Sequence, residues 1–592
     1  MHRAYFMRFL SNPYFGLICT SWKYSTDSRK KFVLFYVLSI LANSATLLTP
    51  YVFGRVFNTL QKGGTGMLTE LEWWLAAYAG LSALFWALHG PSRIIERKIA
   101  FRIKENFIDD MYGKLKSLPM KWHQDHHSGN TINRINKAAT ALYSFSEEQF
   151  VFITFIIAFF GPVFALLFIS PPIAGMACLC SITTIFILSC FDRVIIPLLE
   201  QENNLEHHFS SAFFDYVSNI TTIISLRIGE RTRSELHRRL ASIFPIFNKS
   251  IVLNEYKWFV LSMCTVLIDA LIILFYIWHQ LHMGIAIMIG TTITVHQYLR
   301  SLSSSFSGFA ARYESVIRWR TNCNATRFIE EAYTGLPPAA TATASENWQH
   351  ISIRHLRFSY EDREHHMHQL QNIDFDIERG QRIALVGESG SGKSTLLGLL
   401  RGLYEAEGTE VAIDGEPQPG LSSLSALTTL IPQEPEIFEN TVSYNITTGL
   451  EYDNSELDDA IRIACFKSVV SRFPQGVDTD IREKGVNMSG GEKQRLALAR
   501  GIFAARGSSL LLLDEPTSSV DNQNEMRIYA NLFEAFAGCT IISSIHRLHL
   551  LPNFDRIYVM HDRRIIEQGT LKELLETKGR LYTAWQEYNK AR

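Results

Sequence analysis

The sequence predicts two domains of different classes, an α-helical membrane domain followed by an α/β domain. Between residues 32 and 306 lie six apolar runs of the roughly 20 residues that a bilayer span needs. From Ile351 the pattern changes to short alternating strands, turns and helices, as an α/β core requires. A glycine-rich string in this second part, ALVGESGSGKSTLLGLL, is typical of a strand, a loop and a helix in succession. At 592 residues, the chain also exceeds what one hydrophobic core usually supports.

The overall composition excludes some classes of partner. Hydrophobic residues make up 47% of the chain and charged residues 19%, and the formal net charge is −1. A chain without excess positive charge does not attract nucleic acid electrostatically, so we expect no nucleic-acid partner. The eight cysteines show neither metal-ligand spacing nor a disulfide framework, which fits reduced thiols in a protein that faces the cytoplasm.

The apolar runs predict six transmembrane helices and their orientation. Their limits are 33–57, 71–91, 149–170, 172–192, 257–279 and 283–306. Lysine and arginine are concentrated in two long connections, 92–148 and 193–256, whereas the short connections contain only Lys62. Because positive charge marks the cytoplasmic side of a membrane, we expect the long connections and both termini to be cytoplasmic.

The segments outside the spans complete the domain organisation. The N-terminal stretch is no cleavable signal, because its apolar residues are interrupted and recur at helical spacing. We expect it to form an amphipathic segment on the membrane surface. A stretch rich in proline, alanine and threonine predicts a linker after the membrane domain. The predicted divisions are an N-terminal segment 1–31, a transmembrane domain 32–330, a linker 331–348 and a second domain 349–592.

The glycine-rich string predicts a phosphate-binding loop. Its glycines allow the backbone to wrap phosphates, and the helix N-terminus that follows supplies N–H donors. Lys393 would reach the β- and γ-phosphates, and Ser394 would bind Mg²⁺. The residues of this predicted site are Gly387, Glu388, Ser389, Gly390, Ser391, Gly392, Lys393, Ser394 and Thr395.

A second string, LLLLDEP, predicts a buried strand that ends in two carboxylates. Asp514 is suited to organising a metal ion. Glu515 is suited to orienting or deprotonating an attacking water molecule. A simple turn is a poor alternative, since four leucines lead directly into the acidic pair.

A third string points to a narrower class of proteins than either of these. VNMSGGEKQRLALARG, followed by LLLLDEPTSSVD, resembles the signature motif and Walker B segment of the ATP-binding cassette (ABC) family. In that family the signature of one subunit closes over ATP held by another. The resemblance therefore implies a second half-transporter, identical or related, whose ATP would be contacted by Ser489, Gly490 and Gly491.

The same resemblance implies the remaining site residues. Tyr360 resembles the aromatic residue that stacks on adenine, and Gln433 resembles the glutamine that contacts Mg²⁺ and the coupling helices. Asp521 resembles the D-loop aspartate, and His546 the switch histidine that contacts the γ-phosphate. The expected catalytic residues are Glu515, His546, Gln433 and Lys393. The expected ligands of Mg²⁺ are Ser394, Gln433 and Asp514.

The membrane half resembles that of ABC exporters. Their LP…G.I..R pattern is matched by Leu118-Pro119, Gly129, Ile132 and Arg134, and FFDYVSNITTIISL is similar to their second coupling helix. The resemblance implies coupling helices near 122–130 and 212–222. The expected fold is thus a polytopic α-helical membrane domain, with six transmembrane helices extended into the cytoplasm, plus an α/β P-loop ABC ATPase domain.

Two departures from the family pattern stand out. The family signature reads LSGGQ, and here Met488 and Glu492 occupy its first and last positions. Methionine keeps the apolar volume of leucine, whereas glutamate adds a negative charge near the polyphosphate. In TDIREKG, Glu483 is retained but a glycine of the related family stretch is lost. We expect both changes to tune the site without inactivating it.

Some polar residues leave alternatives open. Asp269 lies in the fifth span, where a carboxylate is expensive. It either faces a cavity, to attract a cationic substrate or carry a proton, or pairs with a neighbouring helix. His296 and Arg300 in the sixth span are weaker candidates of the same kind. Two histidine clusters favour solvated loops over a metal site, because neither has a cysteine or carboxylate at ligand spacing: His123, His126 and His127, and His365, His366 and His368.

The resemblance implies an ATP-driven, multi-pass membrane transporter that uses ATP and Mg²⁺, placed in the inner (plasma) membrane. Export of a lipid, peptide or amphipathic small molecule is the first expectation. An exporter-fold importer of a siderophore or cofactor is one alternative. An ATP-gated channel or regulatory subunit is another, although intact Lys393, Glu515 and His546 argue against a silent regulator. Processing of leader peptides is not expected, since no peptidase domain precedes the first span.

Overall fold

A computed structural model of the chain describes residues 12–126, 128–336, 347–361, 367–406, 408–481 and 488–590. The chain divides into two compact units. The first comprises Met1–Leu118 and His126–Leu336, and the second comprises Pro119–Asp125 and Pro337–Arg592. The short segment Pro119–Asp125 is therefore grouped with the C-terminal unit, although the first unit surrounds it in sequence.

The described chain up to residue 336 is helical. Its helices are α1 Pro13–Lys23, α2 Arg29–Thr46, α3 Thr49–Lys62, α4 Met67–Ser117, α5 Met120–Asp125, α6 Ser128–Glu147, α7 Gln149–Ile169, α8 Pro171–Ser218, α9 Ile220–Ser225, α10 Gly229–His282, α11 Ile289–Asn324 and α12 Arg327–Thr334.

Three of these helices are much longer than a bilayer is thick. Helices α4, α8 and α10 contain 51, 48 and 54 residues. At about 1.5 Å per residue, each extends roughly 70–80 Å, against a hydrocarbon core of about 30 Å. They must therefore continue well beyond the membrane. Each contains one internal proline, at Pro91, Pro197 and Pro245 respectively.

Within the described residues, five helical segments are long and apolar enough to cross a membrane: Thr26–Lys62, Met67–Ser117, Gln149–Ile169, Pro171–Ser218 and Gly229–His282. They contain the first five predicted spans, apart from Ser170 at the end of the third. The first of them is interrupted at Leu47 and Leu48, because Pro50 in the opening turn of α3 has no N–H to donate.

The predicted start of the sixth transmembrane span, 283–306, was wrong. Residues 283–288 are not helical, and α11 begins at Ile289. This helix is absent from the five apolar segments of the described chain. Its threonine, serine, histidine, glutamine and arginine side chains lower its hydropathy.

The predicted turns in the long connections are short helices at shifted positions. Helix α4 ends before Pro119, because the residue that precedes a proline avoids the helical conformation. Helix α5 follows at once, so residues 128–130 of the first predicted coupling helix instead begin α6. In the second, residues 212–218 still belong to α8, and the separate short helix is α9.

Helix α1 contacts other helices of the protein. The sequence analysis predicted an amphipathic surface segment over 1–31 and did not predict these contacts. Leu17 is fully buried in a cluster with Phe145, Phe152 and Val316. The hydroxyl of Tyr14 donates to Oε1 of Gln149 at 3.2 Å. One face of α1 therefore packs on other helices of the membrane unit. Residues 1–11 lie outside the described residues.

A buried carboxylate connects α4 to the junction of α6 and α7. Glu96 is 2% exposed and accepts hydrogen bonds from the Phe150 backbone N–H at 2.9 Å and from the guanidinium of Arg93. Arg93 also donates to the backbone carbonyl of Glu147 at 2.7 Å. A buried charge is tolerated only when it is paired and hydrogen-bonded. This ion pair therefore stabilises the position at which α6 ends and α7 begins.

The described part of the second unit contains helices and three sheets. Its strands are β1 His350–Glu361, β2 Met367–Glu378, β3 Arg382–Gly387, β4 Glu410–Ile413, β5 Glu416–Gln418, β6 Thr428–Ile431, β7 Asn440–Thr441, β8 Asp480–Ile481, β9 Leu510–Asp514, β10 Thr540–Ile545, β11 Arg556–His561 and β12 Arg564–Gly569. Its remaining helices are α13 Lys393–Leu400, α14 Val442–Thr447, α15 Asn454–Ile463, α16 Lys467–Val470, α17 Gly490–Ala504, α18 Asn522–Ala535, α19 Leu571–Glu576 and α20 Arg580–Lys590.

The central sheet has six strands in the order β12-β11-β3-β10-β9-β6. Its strands are parallel except β12, which pairs antiparallel with β11. Successive residues of β3 alternate between two hydrophobic clusters, Ala384 and Val386 in one and Ile383 and Leu385 in the other. Both faces of the sheet are therefore buried, as in a parallel α/β sheet. A four-stranded antiparallel sheet, β2-β1-β4-β5, accompanies it.

The predicted linker, 331–348, includes residues that are ordered parts of each unit. Its first residues belong to α12, which ends at Thr334. Its last residue, Trp348, is fully buried, and its indole N–H donates to Ser509 Oγ at 2.8 Å. A side chain of this size stabilises the core that it enters, so Trp348 belongs to the second unit. Residues 337–346 lie outside the described residues.

We predict that Glu96→Ala lowers the stability of the protein by about 3 kcal/mol, because it leaves a half-buried guanidinium and a half-buried N–H without their partner. The thermal unfolding midpoint of the purified chain in detergent measures this loss.

Arg102 and Glu105 supply the matched control, since they form an exposed ion pair at the same spacing in the same helix. Glu105→Ala should cost less than about 1 kcal/mol. Equal midpoints for the two variants would contradict the role given to Glu96.

Candidate functional site

Four neighbouring parallel strands bring the predicted site residues to one edge of the central sheet. In the order β3, β10, β9 and β6, these strands lie side by side. The phosphate loop follows β3, and His546 follows β10. Asp514 ends β9 and Glu515 follows it, while Gln433 lies two residues after β6. Because the carboxyl ends of parallel strands share an edge, the topology gathers these groups from distant parts of the sequence.

A cavity of about 290 Å³ opens at this edge. Gln369, Leu370 and Arg563 form part of its described wall. The predicted site residues that line it are Ser389, Gly390, Gly392, Lys393, Ser394, Thr395, Gln433, Glu515 and His546.

The loop after β3 is shaped to receive an anion. Gly390 and Gly392 have φ angles of 80° and 100°, which side chains disfavour. A Cβ at Gly387 would collide with the backbone oxygen of Met560. Among the described residues, the buried Oγ of Ser391 has no hydrogen-bond partner. The loop therefore has an unsatisfied hydroxyl and free backbone N–H groups at the start of α13.

Lys393 supplies the positive charge of the cavity. It is 5% exposed, and its Nζ donates to the backbone oxygens of Gly387 at 2.8 Å and Glu388 at 3.1 Å. Burial lowers the pKa of its ammonium, while the carboxylates of Glu515 and Asp514 partly oppose that effect. A buried ammonium on two neutral carbonyls favours a negatively charged ligand.

Glu515 is held between the ends of two neighbouring strands. Its Oε2 accepts a hydrogen bond from Gln433 Nε2 at 2.8 Å, and its Oε1 lies 3.0 Å from His546 Nε2. Its φ angle of 45° is left-handed, which costs a residue with a side chain roughly 1–2 kcal/mol. Strain of this kind is concentrated at functional sites.

Two residues that the sequence analysis missed stabilise this conformation. Ser544 Oγ accepts a hydrogen bond from the Glu515 N–H at 2.8 Å and donates to Asp514 Oδ1 at 2.8 Å. The buried Gln494 donates to the Glu515 carbonyl at 3.2 Å and accepts from the Ser519 N–H at 2.8 Å. Both lie within or beside motifs recognised in the sequence, but a neutral hydroxyl and a neutral amide gave no separate signal.

The signature residues are not brought to this cavity. Ser489 caps α17, and Gly490 and Gly491 form its first turn. None of them belongs to the described lining of the cavity. Ser489 and Gly490 are exposed, whereas Gly491 packs so tightly that a Cβ would lie 2.7 Å from the Ser519 carbonyl oxygen. Ser489 and Gly490 thus lie at the surface of the second unit, outside its cavity.

Glu492, the unusual last residue of the signature, is part of this cap. Its Oε2 accepts from the Ser489 N–H at 2.9 Å, and its own N–H donates to Ser489 Oγ at 3.4 Å. This reciprocal arrangement is a capping box. Its Oε1 forms an ion pair with Arg472. Burial alone would raise the pKa of the Glu492 carboxyl. The hydrogen bond from the Ser489 N–H and the Arg472 guanidinium outweigh burial and hold this pKa below its usual range, and Arg472 compensates the negative charge.

Asp521 caps α18. Its Oδ1 accepts from the Asn524 N–H at 3.0 Å, and this bond lowers the pKa of the carboxyl. Tyr360 lies in β1, but its side chain is outside the described residues, as is Glu483. Among the described residues, no group of three or more His, Cys, Asp or Glu side chains is arranged to hold a metal ion. His127, His365 and His366 and the side chain of His368 lie outside them.

Arg563 was also missed. It lies in the turn between β11 and β12, where Asp562 and Arg563 have φ angles of 44° and 63°. Two consecutive left-handed residues are typical of a type I′ hairpin, whose second position favours glycine. Met560 of β11 pairs with Gly387, so this turn lies beside the phosphate loop. Arg563 lines the main cavity and an adjoining one of about 300 Å³ that also contains Glu388 and Ser391.

Comparisons with known families match both units. The model for the ABC transporter transmembrane region matches residues 32–306, and the model for the ABC transporter matches residues 370–518. Together they place the two parts of an ABC transporter in one polypeptide.

Two relatives and one solved structure illustrate the similarity. The multidrug resistance protein 1 of Entamoeba histolytica is 39% identical over 39% of this chain, which spans only 18% of that protein's length. The ATM1-type heavy metal exporter of Novosphingobium aromaticivorans is 25% identical over 94% of this chain and 92% of its own. A bacterial Atm1-family ABC exporter with ATP bound matches with a TM-score of 0.80 and 22% identity, over 95% of this chain and 98% of that one.

The two matched regions, the fold and the site residues at one sheet edge agree with one another. ATP binding is implied by the ABC transporter domain, and the apolar helices imply several membrane crossings. The chain therefore belongs to the ABC transporter family and joins one transmembrane region to one ATP-binding domain.

Proposed function

We propose that this chain hydrolyses ATP to export its substrate, and that it works as a dimer of half-transporters. One observation carries the proposal. The Glu515 carboxylate is fixed between Gln433 and His546 at the edge that carries the phosphate loop, while the signature lies outside that cavity. A single subunit thus holds most of a hydrolytic site, and a second subunit, identical or related, would complete it.

The residues present fit ATP with Mg²⁺. The unsatisfied Ser391 hydroxyl, the glycine loop and the buried Lys393 ammonium suit a polyphosphate. Ser394, Gln433 and Asp514 would supply the oxygen ligands that Mg²⁺ prefers. When bound, Mg²⁺ would neutralise charge on the β- and γ-phosphates. Tyr360 would stack on the adenine ring.

The side chains around Glu515 divide the work of hydrolysis. Glu515 would orient or deprotonate the attacking water, and its two oxygens are aligned by Gln433 and His546. His546 would also contact the γ-phosphate. Ser489, Gly490, Gly491 and Asp521 would act across the dimer interface, on ATP held by the partner.

The short helices α5 and α9 are the proposed coupling helices. Helix α5 is grouped with the ATP-binding unit, and within that unit Gln124 Nε2 donates to the Tyr404 hydroxyl at 2.9 Å. Because α5 connects α4 to α6 along the chain, a movement of the ATP-binding unit would be transmitted to α4 and to α6. Closure on ATP would then open the membrane domain outward.

Export of a lipid, peptide or amphipathic small molecule is the proposed transport reaction. A relative that matches over nearly the full length is named an exporter, which supports export over import. An importer or an ATP-gated channel is the alternative. The positive charges of the long connections support a plasma-membrane orientation with both termini and the ATP-binding domain in the cytoplasm.

We predict that Glu515→Gln reduces ATP hydrolysis at least about 100-fold, because the base that aligns water is lost. Binding of ATP should persist, since the phosphate loop is unchanged. Glu534→Gln, which neutralises an exposed glutamate of α18, serves as the control and should hydrolyse ATP normally.

The Glu515→Gln and Glu534→Gln proteins also test the direction of transport in inside-out vesicles. ATP-dependent accumulation of a compound only with the Glu534→Gln and unchanged proteins supports export. ATP-dependent loss of a preloaded compound would indicate import, and hydrolysis by Glu515→Gln at the original rate would refute the catalytic assignment.

We predict that Arg472→Ala raises the KM for ATP roughly threefold to tenfold, about 1 kcal/mol. It leaves the Glu492 charge uncompensated where the partner's polyphosphate would approach. The double variant Arg472→Ala/Glu492→Gln should restore the KM, because glutamine keeps the cap without the charge. A double variant that remains as impaired as Arg472→Ala would show that charge is not the cause.

Arg563→Gly should have opposite effects on stability and on ATP affinity. Glycine relieves a left-handed conformation that costs roughly 1 kcal/mol, so the thermal midpoint without nucleotide should rise. The loss of a guanidinium beside the phosphate loop should weaken ATP binding several-fold. Arg563→Lys keeps the charge and should bind ATP nearly as well; equal binding by all three proteins would exclude a contact with the nucleotide.

A further inference from the structure

A second, much smaller cavity lies within the membrane unit. It is formed where α8, α10 and α11 meet, and its volume is about 20 Å³. A cavity needs about 10–15 Å³ to hold one water molecule, so this one has room for a single small species. It is too small for a lipid, a peptide or a drug-sized molecule.

Asp269 of α10 is the one carboxylate among the described residues that line this cavity. Within the described chain, no hydrogen bond or ion pair reaches it. An unpaired carboxylate in an apolar helix is expensive. Helices α8 and α10 do form an ion pair elsewhere, between Lys257 Nζ of α10 and Asp192 Oδ1 of α8 at 3.5 Å. Asp269 therefore differs from a carboxylate retained for helix packing.

Two of the hydroxyl groups that line this cavity present oxygen lone pairs rather than protons. Ser181 Oγ donates to the Ala177 carbonyl at 2.7 Å, and Thr184 Oγ1 donates to the Cys180 carbonyl at 2.9 Å. Each of these hydroxyl protons is thus committed to its own helix. Both residues line the cavity together with Asp269, and Ser303 of α11 adds a further hydroxyl.

The polar part of an otherwise largely apolar lining therefore includes one carboxylate and two hydroxyl oxygens whose protons are already donated. Hard cations prefer carboxylate and neutral oxygen ligands of this kind. Arginine and lysine do not contribute to the described lining. The other titratable groups close enough to interact with Asp269 are Cys180 of α8 and His296 of α11.

We infer that this cavity binds one small monovalent cation, either a metal ion such as Na⁺ or a hydronium ion, between the Asp269 carboxylate and the oxygens of Ser181 and Thr184. Occupation neutralises a charge at the junction of three membrane helices and so stabilises their packing. The inference rests on the proposed function only in that ATP hydrolysis provides a second readout.

The test uses the full chain in lipid nanodiscs without nucleotide. Its thermal midpoint is measured in NaCl against choline chloride at equal ionic strength, and then across a pH series. The midpoint should rise with Na⁺ if a metal ion binds, or only on acidification if the ligand is a hydronium ion. Asp269→Asn, which is permanently neutral, should abolish that response and start from the higher midpoint.

Ser181→Ala provides an independent variant should Asp269→Asn fail to fold, and it should shift the response to about tenfold higher cation concentration. Ser189→Ala is the matched control: Ser189 lies in the same helix and donates to the Ile185 carbonyl at 2.8 Å, but it does not line the cavity. Its response should equal that of the native chain.

A native midpoint that is insensitive to both Na⁺ and pH overturns the inference, as does an unchanged response in Asp269→Asn or in Ser181→Ala. Because the midpoint is measured without ATP, a chain that fails to hydrolyse ATP counts against the proposed function alone. Where ATP is hydrolysed, the rate should depend on the same cation and lose that dependence in Asp269→Asn.

Discussion

The site depends on the hydrogen bonds that hold Glu515 in a left-handed conformation at the end of β9. Three strands meet there: β6 supplies Gln433, β10 supplies His546 and Ser544, and β9 supplies the carboxylates. The Gln494 amide of α17 contributes one bond, and the others come from residues in or shortly after the neighbouring strands, so the catalytic geometry depends on strand order. A strand in another position would separate the acid from its partners even if every motif remained intact.

The sequence predicted much of this arrangement for a physical reason. Parallel strands are continuous apolar runs, and polar residues directly after them must lie at one sheet edge, so LLLLDEP and the glycine loop were readable. Ser544 and Gln494 were not, because neutral hydrogen-bonding groups carry no periodicity or charge pattern. The role of Glu492 needed coordinates too. A glutamate in the signature could be read as a disturbance, and only the reciprocal bonds with Ser489 and the Arg472 ion pair identify it as a cap.

In the membrane unit, hydropathy located the helices better than it located their ends. Apolar length predicted the first five spans, whereas the start of α11 and the bounds of α5 and α9 were missed by several residues. Helix ends depend on local events, such as Pro119 after α4 and the Glu96 carboxylate at the first turn of α7. Hydropathy averaged over about 20 residues cannot resolve such events.

The length of the helices that leave the membrane has a mechanical consequence. A rigid rod of roughly 80 Å that tilts by about 5° moves its far end by roughly 7 Å, so α10 amplifies small rotations into displacements larger than a helical turn. Its single internal proline, Pro245, lacks the N–H that would bond to the preceding turn and is thus the natural point of bending. Because α4, α8 and α10 each contain one internal proline, bending is expected at that proline, and the segments on either side of it act as stiff arms.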